Sequence, residues 1–163
     1  MDFSKFDSQV DMEQLKADIK EAKENGGTGD YPEAPAGTYE GTIESMEIGS
    51  TKDGRPMFKV MFRVGAGLDP VTEDYVEGFK KKKPCLFMNR VLYGTKNDGN
   101  MIQSVIGWLN KLESETPIVF ESYSQFNDCV LDIFEEIEDA VEFHVSYDPD
   151  AFNSISIVAA YDL

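Results

Sequence analysis

Met57-Phe58-Lys59-Val60-Met61-Phe62-Arg63-Val64 alternates without a break. Phe58, Val60, Phe62 and Val64 take one side, while Met57, Lys59, Met61 and Arg63 take the other. A period of two is the signature of a β-strand. One face suits burial; the other is apolar near the backbone and cationic at its tips. Just before it, Ser50-Thr51-Lys52-Asp53-Gly54 forms a turn with Asp-Gly as its hairpin signal. Residues 38–48, on the far side of that turn, are β-compatible but irregularly patterned. After the strand, Gly65-Ala66-Gly67 and Asp69-Pro70 break the pattern. A third β segment is expected over residues 84–93.

Two amphipathic helices follow. Asn97-Asp98-Gly99 offers an N-cap to a helix carrying Met101, Ile102, Val105, Ile106, Trp108, Leu109 and Leu112. Ser122 or Ser124 caps a second, with Phe126, Cys129, Val130, Ile133, Phe134 and Ile137 on its apolar side. The other side of that second helix is acidic. Then Val141, Phe143, Val145 and Tyr147 alternate, Asp148-Pro149-Asp150 turns the chain, and Ile155, Ile157, Ala159 and Tyr161 alternate. The expectation is a mainly β chain with a helical insert. Three strands, helices, then two strands is the order of a five-stranded OB-fold barrel, with the helices between strands 3 and 4.

Residues 1–37 differ in kind. Met12, Leu15, Ile19 and Ala22 give one narrow helical stripe, and Asn25-Gly26-Gly27 ends it. A Gly- and Pro-rich stretch leads on to residue 37. These residues are expected to form an acidic N-terminal helical arm and linker, with residues 38–163 as the OB-fold-like domain. The arm suits docking on a partner or on a second copy of the chain.

The chain has a net charge of −16, but the charge is segregated. Residues 52–96 hold ten bases against five acids, and residues 97–163 hold one base, Lys111, against fourteen acids. Charges act mainly within the Debye length, about 8 Å at physiological salt, so a polyanion would meet the basic window as a separate surface. A charged hairpin balanced by acidic neighbours would produce the same count. The window also interleaves rings with cations, the mixture that single-stranded nucleic acid requires: cations track phosphates and rings stack on bases. The candidate binding residues are Lys52, Arg55, Lys59, Arg63, Phe79, Lys80, Lys81, Lys82, Lys83, Phe87, Arg90 and Tyr93. Phe79, just before four lysines, is expected to be exposed and to be the best stacking ring. Phe58, Phe62 and Trp108 are expected in the core.

Other chemistry is thinly represented. The single histidine, His144, lies in an alternating strand, and no Cys or His cluster has zinc spacing. No Gly-rich loop carries a Walker lysine, and no nucleophile has a base and an orienting group nearby in sequence. The expectation is a binder without catalytic residues, cofactor or metal. Cys85 and Cys129, far apart in sequence, do not suggest a disulfide framework and fit a reducing cytosol. No apolar run approaches the roughly 20 residues of a membrane span, and the polar, acidic N-terminus is not a secretory signal.

Several phrases also resemble a known family. They are Asp2-Phe3-Ser4-Lys5-Phe6-Asp7, then Tyr31-Pro32 through Pro35-Ala36-Gly37-Thr38-Tyr39-Glu40 into Ile43-Glu44-Ser45-Met46-Glu47. Lys52-Asp53-Gly54-Arg55-Pro56-Met57 and Leu86-Phe87-Met88-Asn89-Arg90-Val91 complete the set. Together they resemble small proteins of phage replication and recombination loci, which are similar to phage single-stranded-DNA-binding proteins with an OB-fold. The resemblance implies sequence-independent protection of single-stranded DNA in the host cytoplasm, without cofactor, and transfers no residue-level site. Many such proteins end in an acidic tail with a terminal hydrophobe. Here Ala159-Ala160-Tyr161-Asp162-Leu163 runs straight out of a predicted strand, so contacts with replication or recombination proteins are expected at the acidic arm and second helix instead. Two other readings stand beside this one: an acidic DNA mimic that inhibits a host protein, and a phage structural or assembly protein.

Overall fold

The computed structural model describes residues 33–79 and 82–163. The helix expected over residues 11–25 and the linker before residue 33 lie outside the described residues, as do Lys80 and Lys81. The elements run β1 (Gly37–Ser50), β2 (Pro56–Gly67), α1 (Pro70–Glu77), β3 (Cys85–Val91), α2 (Asp98–Asn110), α3 (Tyr123–Ile137), β4 (Val141–Asp148) and β5 (Ser154–Asp162). All strand pairs are antiparallel, in the order β3-β2-β1-β4-β5. Among the described residues, β3 and β5 are edge strands of an open sheet, and no backbone ladder joins them. They still approach one another, because Ile155 N–H donates to Met88 Sδ at 3.3 Å.

The alternation of β2 is realised in full: Phe58, Val60, Phe62 and Val64 are buried. Leu86 and Met88 of β3, Phe143, Val145 and Tyr147 of β4, and Ile155 and Ile157 of β5 face the same core. From the helices, Val105 and Leu109 of α2 and Phe126, Cys129, Val130, Ile133 and Ile137 of α3 close over it. Ser122 caps α3 by accepting from Gln125 N–H at 3.0 Å. Asn97, by contrast, makes no side-chain cap on α2. The neighbouring Asp98 carboxylate instead accepts from Gly94 and Thr95 N–H, at 3.1 and 2.8 Å.

The irregular pattern of β1 has a physical cause. Its register against β2 shifts between Glu40 and Gly41 and again between Ile43 and Ser45. At the first, the extra residue is Gly65 of β2 and β1 keeps its parity; at the second, the extra residue is Glu44 of β1, which moves its inward set by one residue. Tyr39 and Ile43 point inward before the second bulge, and Met46 after it. A shift in the β4–β5 ladder between His144 and Val145 does the same to β5. It corrects the expected inward face of that strand: Ala160, opposite Phe143, packs on the core, whereas Tyr161 stands half-exposed beside His144.

The helix α1 has no counterpart in the sequence expectation, which placed only a chain break at Asp69-Pro70. Asp69 accepts from Val71 and Thr72 N–H, the Thr72 hydroxyl accepts from Asp69 N–H, and Pro70 starts the helix. This is a capping box with proline in the first turn. Thr72, wholly buried, also donates its hydroxyl to Thr38 O at 2.8 Å and so pins α1 to the start of β1.

Candidate nucleic-acid interface

The outward face of β2 and β3 is built by register. Lys59 lies opposite Asn89, Met61 opposite Phe87, and Arg63 opposite Cys85. On the other side of β2, Glu47 lies opposite Lys59 and Ser45 opposite Met61. Met61 and Phe87, both half-buried, form an apolar middle. Lys59 and Arg63 flank it, about 13 Å apart along the strand at roughly 3.3 Å per residue. Arg63 is tethered twice, by its Nε to Glu44 Oε2 at 3.2 Å and by Nη1 donating to Lys83 O at 3.0 Å. The hydrogen bond to Glu44 pushes the Arg63 guanidinium up from its usual value. Lys82 and Lys83 stand exposed at this end.

At the other end lies the β1–β2 turn. Arg55 Nε donates to Asp53 Oδ2 at 2.8 Å, Thr51 hydrogen-bonds the other Asp53 oxygen, and Gly54 turns the chain at φ 86°. The Thr51 hydroxyl, and then Arg55, hold the Asp53 carboxyl below its usual range. Lys52 is exposed on this turn. Tyr93, 53% exposed, sets its ring edge-on to Tyr123 at 6.3 Å.

One ring differs from expectation, and one candidate cation stands apart from the outer face. Phe79 is half-buried, with its ring edge-on to Tyr75 at 5.1 Å, because α1 brings Tyr75 beneath it. Arg90 does not share the outer face with Lys59 and Arg63. Opposite Phe58, it has the inward parity of Leu86 and Met88, and it emerges at the open edge of β3. There it donates from Nη1 to Asn89 O and to Phe152 O, both at 2.8 Å. Burial pushes its guanidinium down from its usual value, yet arginine stays charged in proteins.

No protein-family model matches this sequence, and comparison with curated proteins finds no significant match.

Phe152 is the ring that sequence reading missed. At 86% exposure it is the most exposed of the large hydrophobic residues identified on the surface, at the tip of the β4–β5 turn. Its φ of 56° and the 55° of Asn153 are left-handed, a conformation that is strained for a bulky residue. An aromatic residue directly after Asp148-Pro149-Asp150-Ala151, in an otherwise polar turn, was the available signal. Trp108 is half-buried, edge-on to Phe58 at 5.5 Å, with Nε1 donating to Ile155 O at 2.6 Å.

Other reactive groups are placed as follows. Burial pushes the Cys85 thiol up, which disfavours the thiolate. Cys129 is buried with Sγ 3.2 Å from Pro117 O. Glu40, Glu142 and His144 bring donor atoms within 4.8 Å of one another across β1 and β4, and His144 Nε2 lies 2.9 Å from Glu40 Oε2. A divalent cation could sit among these three donors, and an ion pair accounts for the same geometry once the imidazole is protonated. Asp128, Asp132, Glu135 and Glu136 stand exposed or nearly so along α3. Among the described residues, no helix is long and apolar enough to cross a membrane.

Proposed function

We propose that this chain binds single-stranded DNA without sequence preference, in phage DNA replication or recombination. The carrying observation is the convergence of the end of β3 with the β4–β5 turn, where Arg90 holds the carbonyl of exposed Phe152. The outer face of β2 and β3 carries Lys59, Met61, Phe87 and Arg63. Cations that follow phosphates therefore alternate with rings and apolar surface that can take bases, the combination single strands require. The strand order β3-β2-β1-β4-β5, with edges that approach, is consistent with an OB-fold whose barrel is incompletely closed. Such folds bind through strands 2 and 3 and the flanking turns.

Anisotropy of labelled oligo-dT at two salt concentrations tests the reading. Binding should weaken with salt, by a log–log slope of about −0.7 per phosphate neutralised. The double reversal Lys59→Glu, Arg63→Glu should weaken binding to every sequence alike. Parental affinity in that double variant would remove the outer face from the interface.

The exposed acids of α3 favour a second reading, an acidic surface that occupies the basic groove of a host protein. Absence of oligo-dT binding at low salt, together with direct binding of a purified basic DNA-binding protein, would select it.

A further inference from the structure

The seam between β3 and β5, flanked by α2, holds a half-open cavity of about 320 Å³. That size falls at the lower end of pockets that hold small ligands. None of its eleven lining residues is acidic, in a chain of net charge −16. It contains Arg90 and Lys111, and Lys111 is the single base among residues 97–163. Three hydroxyls, those of Ser104, Ser154 and Ser156, line it as well.

The chain has three arginines, and two are matched to carboxylates: Arg55 to Asp53 at 2.8 Å and Arg63 to Glu44 at 3.2 Å. Arg90, the inward-facing one, has only two backbone carbonyls, both taken by Nη1. Its Nε and Nη2 have no hydrogen-bond partner among the described residues. A partly desolvated guanidinium without a counter-ion is unfavourable, and a bound anion would relieve it. The remaining fork matches a tetrahedral oxyanion bidentately, Lys111 adds a point charge, and serine hydroxyls are ordinary phosphate donors.

We propose that this seam is a phosphate-binding pocket, with Arg90 and Lys111 as its cationic ligands. The phosphate comes from a single strand entering past Phe152 or from a free phosphate ester. The first source rests on the single-strand reading; the second does not.

Trp108 lines the cavity and is the only tryptophan of the chain, so its fluorescence reports on occupancy directly. Pyrophosphate titrated at constant ionic strength should change that fluorescence saturably, and sodium chloride should not. Lys111→Gln, an exposed position, should weaken the apparent affinity about tenfold, the loss of one charge-assisted contact. Arg90→Gln should abolish saturation, Arg90→Lys should restore part of it, and Arg63→Gln should leave it intact. A wild-type response no different from that to chloride would overturn the pocket, as would an unchanged affinity in Lys111→Gln. Oligo-dT anisotropy, run in parallel with and without a 5′-phosphate, separates the two sources. Oligo-dT binding without a pyrophosphate response overturns the pocket and leaves the single-strand reading standing. A pyrophosphate response without oligo-dT binding supports the pocket for free phosphate esters and removes that reading.

Discussion

Arg63 Nε lies 3.2 Å from Glu44 Oε2, so one of the two strand cations on the outer face is already paired by the neighbouring strand. The pair is partly exposed, with 26% and 45% side-chain exposure, and such pairs contribute about 0–1 kcal/mol. A phosphate arriving at Arg63 must therefore compete with Glu44 for the same donor. Glu44→Gln should raise affinity for oligo-dT about two- to fivefold at low salt, within that energy range, and should leave the urea midpoint almost unchanged. Unaltered or weaker binding would show that phosphate does not reach Arg63.

Phe152 couples stability against binding. Its left-handed backbone is strained for a bulky side chain, whereas glycine adopts that region freely. The exposed ring contributes little burial. Phe152→Gly should therefore stabilise the fold by up to about 1 kcal/mol, while weakening oligo-dT binding by about 1–3 kcal/mol for loss of one stacked base. Denaturation and anisotropy on the same variant check both halves. Loss of stability would mean that the ring packs on something in the free protein.

Asp69 serves two segments at once. Its Oδ1 caps α1, and its Oδ2 accepts from Thr38 N–H at 2.8 Å. The Thr38 amide, and then that of Thr72, hold this carboxyl below the usual range. A carboxyl lowered on folding adds stability above its unfolded value, about pH 3.9, and loses it as pH falls through the folded value. Asp69→Ala should cost about 1–2 kcal/mol at neutral pH, as a lost cap does. The gap between variant and parent should narrow in acid below pH 4, followed by urea titration at each pH. A gap independent of pH would separate the cap from the charge.

Tyr147 gives the alkaline counterpart. Burial pushes its phenol up to about 12, and its hydroxyl donates to Asn153 Oδ1 at 3.1 Å. Burial also raises Tyr39, which lies edge-on to Tyr147 at 6.3 Å. A phenol raised on folding contributes stability that is complete below its unfolded value, about pH 10, and is lost as pH rises toward 12. Phenolate absorbance should show these two rings titrating together with loss of fold. Tyr147→Phe should reduce the loss of stability over that interval.

Much of the fold was legible because β2, β4 and the apolar faces of α2 and α3 each keep one period from end to end. The Asp53-Gly54 turn and the Ser122 cap were legible for the same reason, each being local chemistry. Strand β1 was not cleanly legible, because a bulge at Glu44 resets its inward parity, and a bulge shows itself only against a partner strand. The helix α1 was written in Asp69-Pro70-Val71-Thr72, but eight residues with little apolar periodicity read as a loop. Lys59, Arg63 and Phe87 fall on one face because register follows alternation. Arg90 could not be assigned that way: its parity points inward, and only the open edge between β3 and β5 gives it an outlet. The cavity it shares with Lys111 joins residues from β3, α2 and β5, a juxtaposition no single stretch of sequence encodes.

Gly41 tests whether the β2 bulge at Gly65, which it adjoins, sets the geometry of the outer face. A Cβ at this buried position would lie 2.0 Å from Arg63 O and 2.9 Å from Arg63 C. Those atoms are backbone, so no side chain can move aside, and β1 must shift against β2. Overpacking of this kind typically costs about 1–3 kcal/mol, occasionally more. The displaced partner is the residue that carries the outer-face arginine. Gly41→Ala should therefore lower the urea midpoint by an amount in that range and also weaken oligo-dT binding under conditions where the variant remains folded. Gly54→Ala is the control: its added Cβ meets nothing within 4 Å, so its only penalty is the left-handed φ, about 1 kcal/mol. If Gly41→Ala binds oligo-dT as well as Gly54→Ala does, the position of Arg63 is not what the bulge determines.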